Sequence, residues 1–296
     1  MSSSEIRKDY FLDKYVIISP KRAQRPWHQG DRTIVKTSGT CFFCPENLQD
    51  DLIIDRLDRD KHWQVVTIAN IYPAVSTDNR KAYGVQEVII ETPQHLPDLA
   101  ELSLEDIKMV LQMYAKRTKE LSLNPELDYI LCFKNQGPKS GASIPHTHSQ
   151  VFATKLLPPD IAAELKAATD YQLQHRLCPY CEIVQKEAKS ERLIWEDDNV
   201  IAIAPYASAY HYEAWIFTKR HLDNVTRLSK SEMDSFARCY HHIIKKLYSL
   251  DLSFNAFLHQ VVSNEDQHFY FKIEPRDSIW AGVELGSGLI INTVPP

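Results

Sequence analysis

No apolar run in the 296-residue chain is long enough to span a bilayer, and its opening residues, Met1 to Lys8, lack the apolar core of a secretory signal. A cytoplasmic location is the expectation. A cationic surplus is also missing: 34 Lys and Arg stand against 39 Asp and Glu, a formal net charge of -5, so neither nucleic acid nor a membrane is expected as a general partner. Nothing in the composition looks disordered, and the length suits one large core or two moderate ones. Cysteine is sparse. Of six, Cys132 and Cys239 stand alone in apolar surroundings, and the other four form two Cys-x-x-Cys pairs, Cys41/Cys44 and Cys178/Cys181. In a reducing compartment such pairs point to metal rather than disulfide.

What the chain does carry is concentrated between Asn135 and Thr154. The residues from Ile144 to Phe152 suit a β-strand, whose period of two would put His146, His148 and Gln150 on one face. Before them come Gly137, Lys139, Ser140, Gly141 and Ser143, whose backbone N–H groups and hydroxyls can approach an anion closely. The combination suggests a phosphate held against a histidine. Two histidines on one strand face could also be half-buried sheet residues, but the Gly/Ser/Lys lead-in weighs against that. Neutral imidazole is a competent nucleophile near neutral pH once its other nitrogen has a partner.

Around this stretch, strands are expected at Tyr15–Ile18, Val65–Ile68, Gln86–Glu91 and Tyr129–Phe133. Ser103, with Asp106 three residues on, opens a helix whose apolar positions Ile107, Val110, Leu111 and Tyr114 follow helical spacing. A connecting helix starts at Pro158-Pro159. After Ser19-Pro, the cations Lys21, Arg22 and Arg25 decorate a loop that is a solvated basic segment on its own and a clamp if a phosphate lies beside it.

The second half then repeats the first. A constant offset relates Glu87–Leu121 to Glu213–Leu247 without gaps, pairing Ile90 with Ile216, His95 with His221, Ser103 with Ser229 and Tyr114 with Tyr240. After a short deletion, His268 falls opposite His146 and Tyr270 opposite His148. Each half thus offers two thiols and two imidazoles in one order: Cys41, Cys44, His95 and His146, then Cys178, Cys181, His221 and His268. Two cysteines and two histidines can close a tetrahedral zinc site, and four protein ligands leave no place for a reacting water. Two structural zinc sites are expected, with a single all-thiolate site joining both cysteine pairs as the rival. If His146 is a ligand, His148 is left free for chemistry in one half only.

These residues resemble a known family. Gly141-x-Ser143-x-x-His146-x-His148-x-Gln150, with Cys41-x-x-Cys44, His95, Ser19-Pro-x-Arg22-Ala-x-Arg25-Pro26 and Gly282-Val-Glu284-Leu-Gly-Ser-Gly288, resembles the galactose-1-phosphate uridylyltransferase family of the histidine-triad superfamily. Phe133-Lys-Asn135-Gln-Gly137 and Asn70-x-Tyr72-Pro-Ala74 also resemble its ADP-glucose phosphorylase branch. The resemblance implies an α+β fold of duplicated histidine-triad-like halves, each an antiparallel sheet with helices and a zinc site, divided at 1–155 and 156–296. It implies that His148 attacks the α-phosphorus of a nucleotide sugar and that Gln150 donates a hydrogen bond to the phosphoryl group. Ser143 and Asn135 would contact phosphates, with Arg22 and Arg25 near them. Asn70 and Tyr72 would line the nucleoside pocket, and Glu284 would reach the sugar phosphate in a homodimer. The implied reaction moves a nucleoside monophosphate, UMP first among the candidates, to a hexose 1-phosphate through a nucleotidyl-histidine. Ile71, where many uridylyltransferases carry an acid, keeps open an adenylyl-transferring phosphorylase that uses phosphate as acceptor. A noncatalytic nucleotide-binding zinc protein is the reading from another class.

Overall fold

The computed structural model of the chain describes residues 4–19, 41–262 and 267–296. Runs rich in β-branched residues form strands β3 (Ile53–Arg59), β4 (His62–Ala69), β5 (Gly84–Ile90), β6 (Tyr129–Gln136) and β7 (His148–Thr154). In the second half these are answered by β8 (Leu193–Glu196), β9 (Val200–Ile203), β10 (Ala214–Thr218), β11 (Phe254–His259) and β12 (Tyr270–Pro275). All ten join one sheet in the order β3-β4-β5-β7-β6-β11-β12-β10-β9-β8. Each neighbouring pair is antiparallel. Read from either edge toward the centre, the order is the same, so the two halves meet at the β6–β11 pair as pseudo-symmetric copies.

Helices α1 (Leu104–Leu121) and α4 (Lys230–Ser249) pack side by side on one face of this sheet. Both begin with a capping box, Ser103 with Asp106 and Ser229 with Glu232, which satisfies N-terminal amides that have no partner within the helix. Their apolar stripes close the main core against Val65, Ile89, Ile130, Val151, Ile216, Leu258 and Phe271. The other face of the second half is covered by α2 (Pro159–His175) and α3 (Pro179–Glu187), through Ala168, Tyr180, Ile183 and Val184. Across the first half this face carries the Cys41–Cys44 knuckle, with Phe43 set against Val66, Ile68, Val88 and Ile90. A separate small sheet joins the N-terminal strands β1 (Glu5–Lys8) and β2 (Tyr15–Ile18) to β13 (Ile290–Asn292), after the short helix α5 (Gly282–Ser287). Among the described residues, no helix is long and apolar enough to cross a membrane.

The repeat is not gap-free in space. Ile90 pairs with His148, but Phe217, not Ile216, pairs with the corresponding Tyr270. A one-residue shift in a strand turns every side chain to the other face. Glu87 accordingly faces the helices and takes Arg117 of α1 at 2.7 and 2.8 Å. Glu213, its match in the aligned sequences, faces away and accepts from Trp215 Nε1 at 2.7 Å. The true counterpart of Glu213 is Gln86, and both cap an equivalent turn: Gln86 accepts from the Ala74 amide and Glu213 from the Ala209 amide. The offset recovers at Thr92 and Thr218, so the first half holds one extra residue, Glu91.

Candidate functional site

The strand expected from Ile144 begins only at His148. Pro145 has no N–H for a ladder, and the residue before the strand is put to another use. His146, fully buried, turns its ring toward Cys41 and Cys44 rather than sharing a strand face with His148. Its Nε2–H donates to the Thr92 carbonyl at 2.8 Å, which fixes the tautomer and frees Nδ1 as a ligand. Nδ1 lies 3.6 Å from Cys41 Sγ and 3.8 Å from Cys44 Sγ, and His95 Nδ1 lies 3.4 Å from Cys44 Sγ. Thiolate and imidazole ligands of one tetrahedral first-row ion are separated by roughly 3.5–3.8 Å, so the four donors fit a single ion. The second group repeats the arrangement. Cys181 Sγ stands 3.5 Å from His221 Nδ1 and 3.6 Å from His268 Nδ1, and His268 Nε2–H donates to the Thr218 carbonyl at 2.9 Å. Each group has its four ligand atoms within 4.8 Å of one another, so the described residues form two candidate metal centres and not one all-thiolate site.

His148 follows the first centre and points elsewhere. Its Nδ1–H donates to the His146 carbonyl at 2.8 Å, leaving the Nε2 lone pair free. Phe43 meets the ring edge-on at 5.1 Å. Burial and, next, the charge of Lys134 hold the imidazole below its usual pKa range. The residue lines a cavity of about 560 Å³ together with Ser143, Gln150, Asn70 and Tyr72. Apolar walls come from Phe42, Leu52, Ile68, Ile71 and Val88. A pocket that is mostly apolar with a few convergent polar groups is the usual form of a small-molecule site.

Two neighbours that sequence reasoning did not single out set the polar groups of this cavity. Gln86 Oε1 accepts from the Ala74 amide, so its Nε2 is the end that donates to Gln150 Oε1 at 3.2 Å. The Nε2–H groups of Gln150 therefore remain available as donors. Asn255 of β11 donates to Asn135 Oδ1 at 2.7 Å and to the Ser140 carbonyl at 2.9 Å, which ties the loop before His146 to the second half. Gly137 turns that loop at φ 81°, where a Cβ would sit 2.5 Å from Ser253 Oγ. The Ser140 hydroxyl donates back to the Gly137 carbonyl, so Ser143 rather than Ser140 is the hydroxyl that reaches the cavity. Asn135 is absent from the cavity lining, and Glu284 lines a different cavity, over the second half beside Lys272 and Glu274. Arg22 and Arg25 lie outside the described residues.

The profile of the galactose-1-phosphate uridyl transferase N-terminal domain matches residues 1–158. The chain belongs to the galactose-1-phosphate uridylyltransferase family. It is an enzyme of the transferase type. A galactose-1-phosphate uridylyltransferase of Thermotoga maritima is 29% identical over 99% of this chain and 95% of its own length. An ADP-glucose phosphorylase of Arabidopsis thaliana is also 29% identical, over 99% of this chain and 90% of its own. The crystal structure of an Arabidopsis thaliana ADP-glucose phosphorylase with bound ADP-glucose superposes with a TM-score of 0.86 at 29% identity, covering 99% of this chain and 96% of that one. A structure described as a uridylyltransferase reaches 0.78 at 29% identity, covering 98% and 94%.

Proposed function

We propose that this transferase moves a nucleoside monophosphate, UMP, from a nucleotide sugar to a hexose 1-phosphate through a covalent nucleotidyl-histidine at His148. The observation that carries the reading is the His148 ring itself. With Nδ1–H held by the His146 carbonyl, the Nε2 lone pair faces an open cavity beside an amide donor and a hydroxyl. Nε2 attacks the α-phosphorus, the bond to the sugar 1-phosphate oxygen breaks, and the electron pair leaves with that phosphate. Gln150 Nε2–H and Ser143 Oγ–H donate to the phosphoryl oxygens as the transition state develops. The second phosphate acceptor then attacks the same phosphorus and releases His148. Asn70 and Tyr72 line the nucleoside end, Asn135 steadies the phosphate loop, and Arg22 and Arg25 contribute positive charge.

Zinc is the ion proposed for both Cys2His2 groups, and its part is to fasten the knuckle and His146, since four protein ligands leave no open position. Residues 1–155 form the catalytic half and 156–296 a half without the nucleophile. The enzyme works in the cytoplasm as a homodimer, with Glu284 of the partner subunit at the hexose phosphate. Supporting the dimer, apolar side chains lie open both beside the cavity (Phe42, Ile71 and Tyr72) and around Glu284 (Ile279, Val283 and Leu285). A second reading, adenylyl transfer from ADP-glucose with phosphate as acceptor, is favoured by the apolar Ile71 in the cavity wall.

The test is incubation with UDP-glucose and ADP-glucose separately, without acceptor, reading intact mass and released glucose 1-phosphate. A UMP-sized adduct absent from His148→Ala is the expected outcome. An AMP-sized adduct selects the second reading, and no adduct from either donor overturns both.

A further inference from the structure

Beneath the strand that carries His148, on the sheet face turned toward α1 and α4, lies a charged cluster that the chemistry above does not use. Lys134 of β6 is only 1% exposed. Its ammonium donates to Glu91 Oε2 at 2.6 Å, to Thr147 Oγ1 at 2.8 Å and to the His148 backbone carbonyl at 3.0 Å. Those three bonds use all the donors a lysine has. Glu91 also accepts from Thr147 Oγ1 at 2.7 Å and from Ser149 Oγ at 2.8 Å.

Such a pair is weak evidence for stability, because apolar residues of similar volume often replace a buried ion pair at no loss. This chain contains that replacement. Phe133 pairs with Gln150 and Phe257 with Lys272, so Lys134 corresponds to Leu258. Thr147 and Ser149 correspond to Phe269 and Phe271, and Glu91 is the residue that the second half lacks. Leu258, Phe269 and Phe271 are each 0% exposed, so hydrocarbon fills the same space in the half where Tyr270 stands at the nucleophile position. The charges persist only under the histidine.

We infer that Lys134, held by Glu91, is a positioning residue for His148: it grips the His148 carbonyl and the Thr147 hydroxyl from beneath and keeps Nε2 aimed into the cavity. The inference rests on the transferase reading above. Lys134→Met alone would strand a buried carboxylate and unfold the chain for an unrelated reason. The informative variants are Lys134→Met/Glu91→Gln, which removes both charges, and Thr147→Val, which removes one leg of the grip and leaves the ion pair.

The double variant is expected to keep two metal ions per chain and an affinity for the loading nucleotide sugar within about threefold of wild type. Its rate of nucleotidyl-enzyme formation in a single turnover falls by about 100-fold, the scale of an ångström misplacement. Thr147→Val slows the same step roughly tenfold at unchanged affinity, and it decides alone if the double variant does not fold. Wild-type rates in the folded variants, or rate and affinity falling together with metal loss, overturn the positioning role. A wild-type chain that forms no nucleotidyl-enzyme overturns the transferase reading first, and this inference with it.

Discussion

The two halves share a scaffold down to the Cys2His2 groups and differ in what surrounds the residue two positions after the second histidine of each group. In the first half His148 faces an open cavity. In the second half Tyr270 itself is fully buried: the Tyr270 and Tyr180 hydroxyls donate to Glu164 of α2 at 2.9 and 2.8 Å, and His259 stands 3.5 Å from the same carboxylate. The comparison separates two tasks that one half alone would confound. The Cys2His2 group is kept where His148 has no counterpart, so under the proposed reaction its task is architectural. The free imidazole facing a cavity is what the first half has alone, and under the proposed reaction it is the part that does the chemistry.

The most severe way to break this comparison is to exchange the residues that distinguish the halves. His148→Ala is expected to abolish the covalent adduct and to reduce turnover by about 10⁴-fold or more, in keeping with the loss of a nucleophile. Tyr270→His should not create a second site, because Glu164 and α2 still fill the space before it; intact mass would show one adduct per chain. Two adducts would mean that the second half lacks only its histidine. A milder contrast is His146→Ala against His268→Ala. Each should lower the metal content from two ions to one per chain. The first is expected to slow transfer by about 100-fold, because the His146 ring, tied to the Thr92 carbonyl and the Cys2His2 group, fixes the backbone whose carbonyl holds His148. The second should lower the melting temperature by several degrees and leave the transfer rate within about fivefold. Equal losses of activity would assign both ions the same task.

A smaller effect is expected at Gln86, the counterpart of Glu213. Both residues cap the same turn, but the amide has an N–H to spare for Gln150, whereas the carboxylate takes the Trp215 indole. Gln86→Leu frees Gln150 to rotate, and a tenfold fall in the single-turnover rate is the expected result, with metal content unchanged. An unaltered rate would show that Gln150 holds its orientation without help.

How much of this could be read in advance follows from which interactions depend on residue type alone. A metal site needs thiolates and imidazoles, and few residues supply them, so the two groups that the fold brings together as candidate ligand sets could be read from eight residues recurring in one order. The histidine left over was then visible by subtraction. Geometry that depends on register was not. Pro145 delays the strand to His148, and Glu91 shifts β5 against β10, so the identities Glu87/Glu213 and Ile90/Ile216 pair residues on opposite faces. Lys134 did leave a signal, a lysine inside the apolar strand Tyr129–Phe133 as it runs on to Gln136. Its partner Glu91 is 43 positions away in the chain, and only the sheet brings them together. Asn255, which steadies the Asn135 loop from the other half, left no local trace at all.

The weakest expected effect concerns the second half's own cavity, where Glu274 occupies the position that Phe152 holds in the first. Burial, with repulsion from Glu213 and against the attraction of Lys272, pushes the Glu274 carboxyl up to about 7. Its ordinary value is 4.5. The folded chain therefore holds this proton more tightly than the unfolded chain does. The stability this confers is complete below the ordinary carboxyl range and is lost as the pH rises through about 7. Glu274→Gln mimics the protonated form at every pH. Its melting temperature should match wild type near pH 5 and exceed it by a few degrees near pH 8, since each kcal/mol shifts a chain of this size by about 2–4 °C. A difference that is the same at both pH values would mean that Lys272 fully compensates the burial. The open cavity of the second half would then carry its charges at no cost to folding, as the first half avoids the question with a phenyl ring.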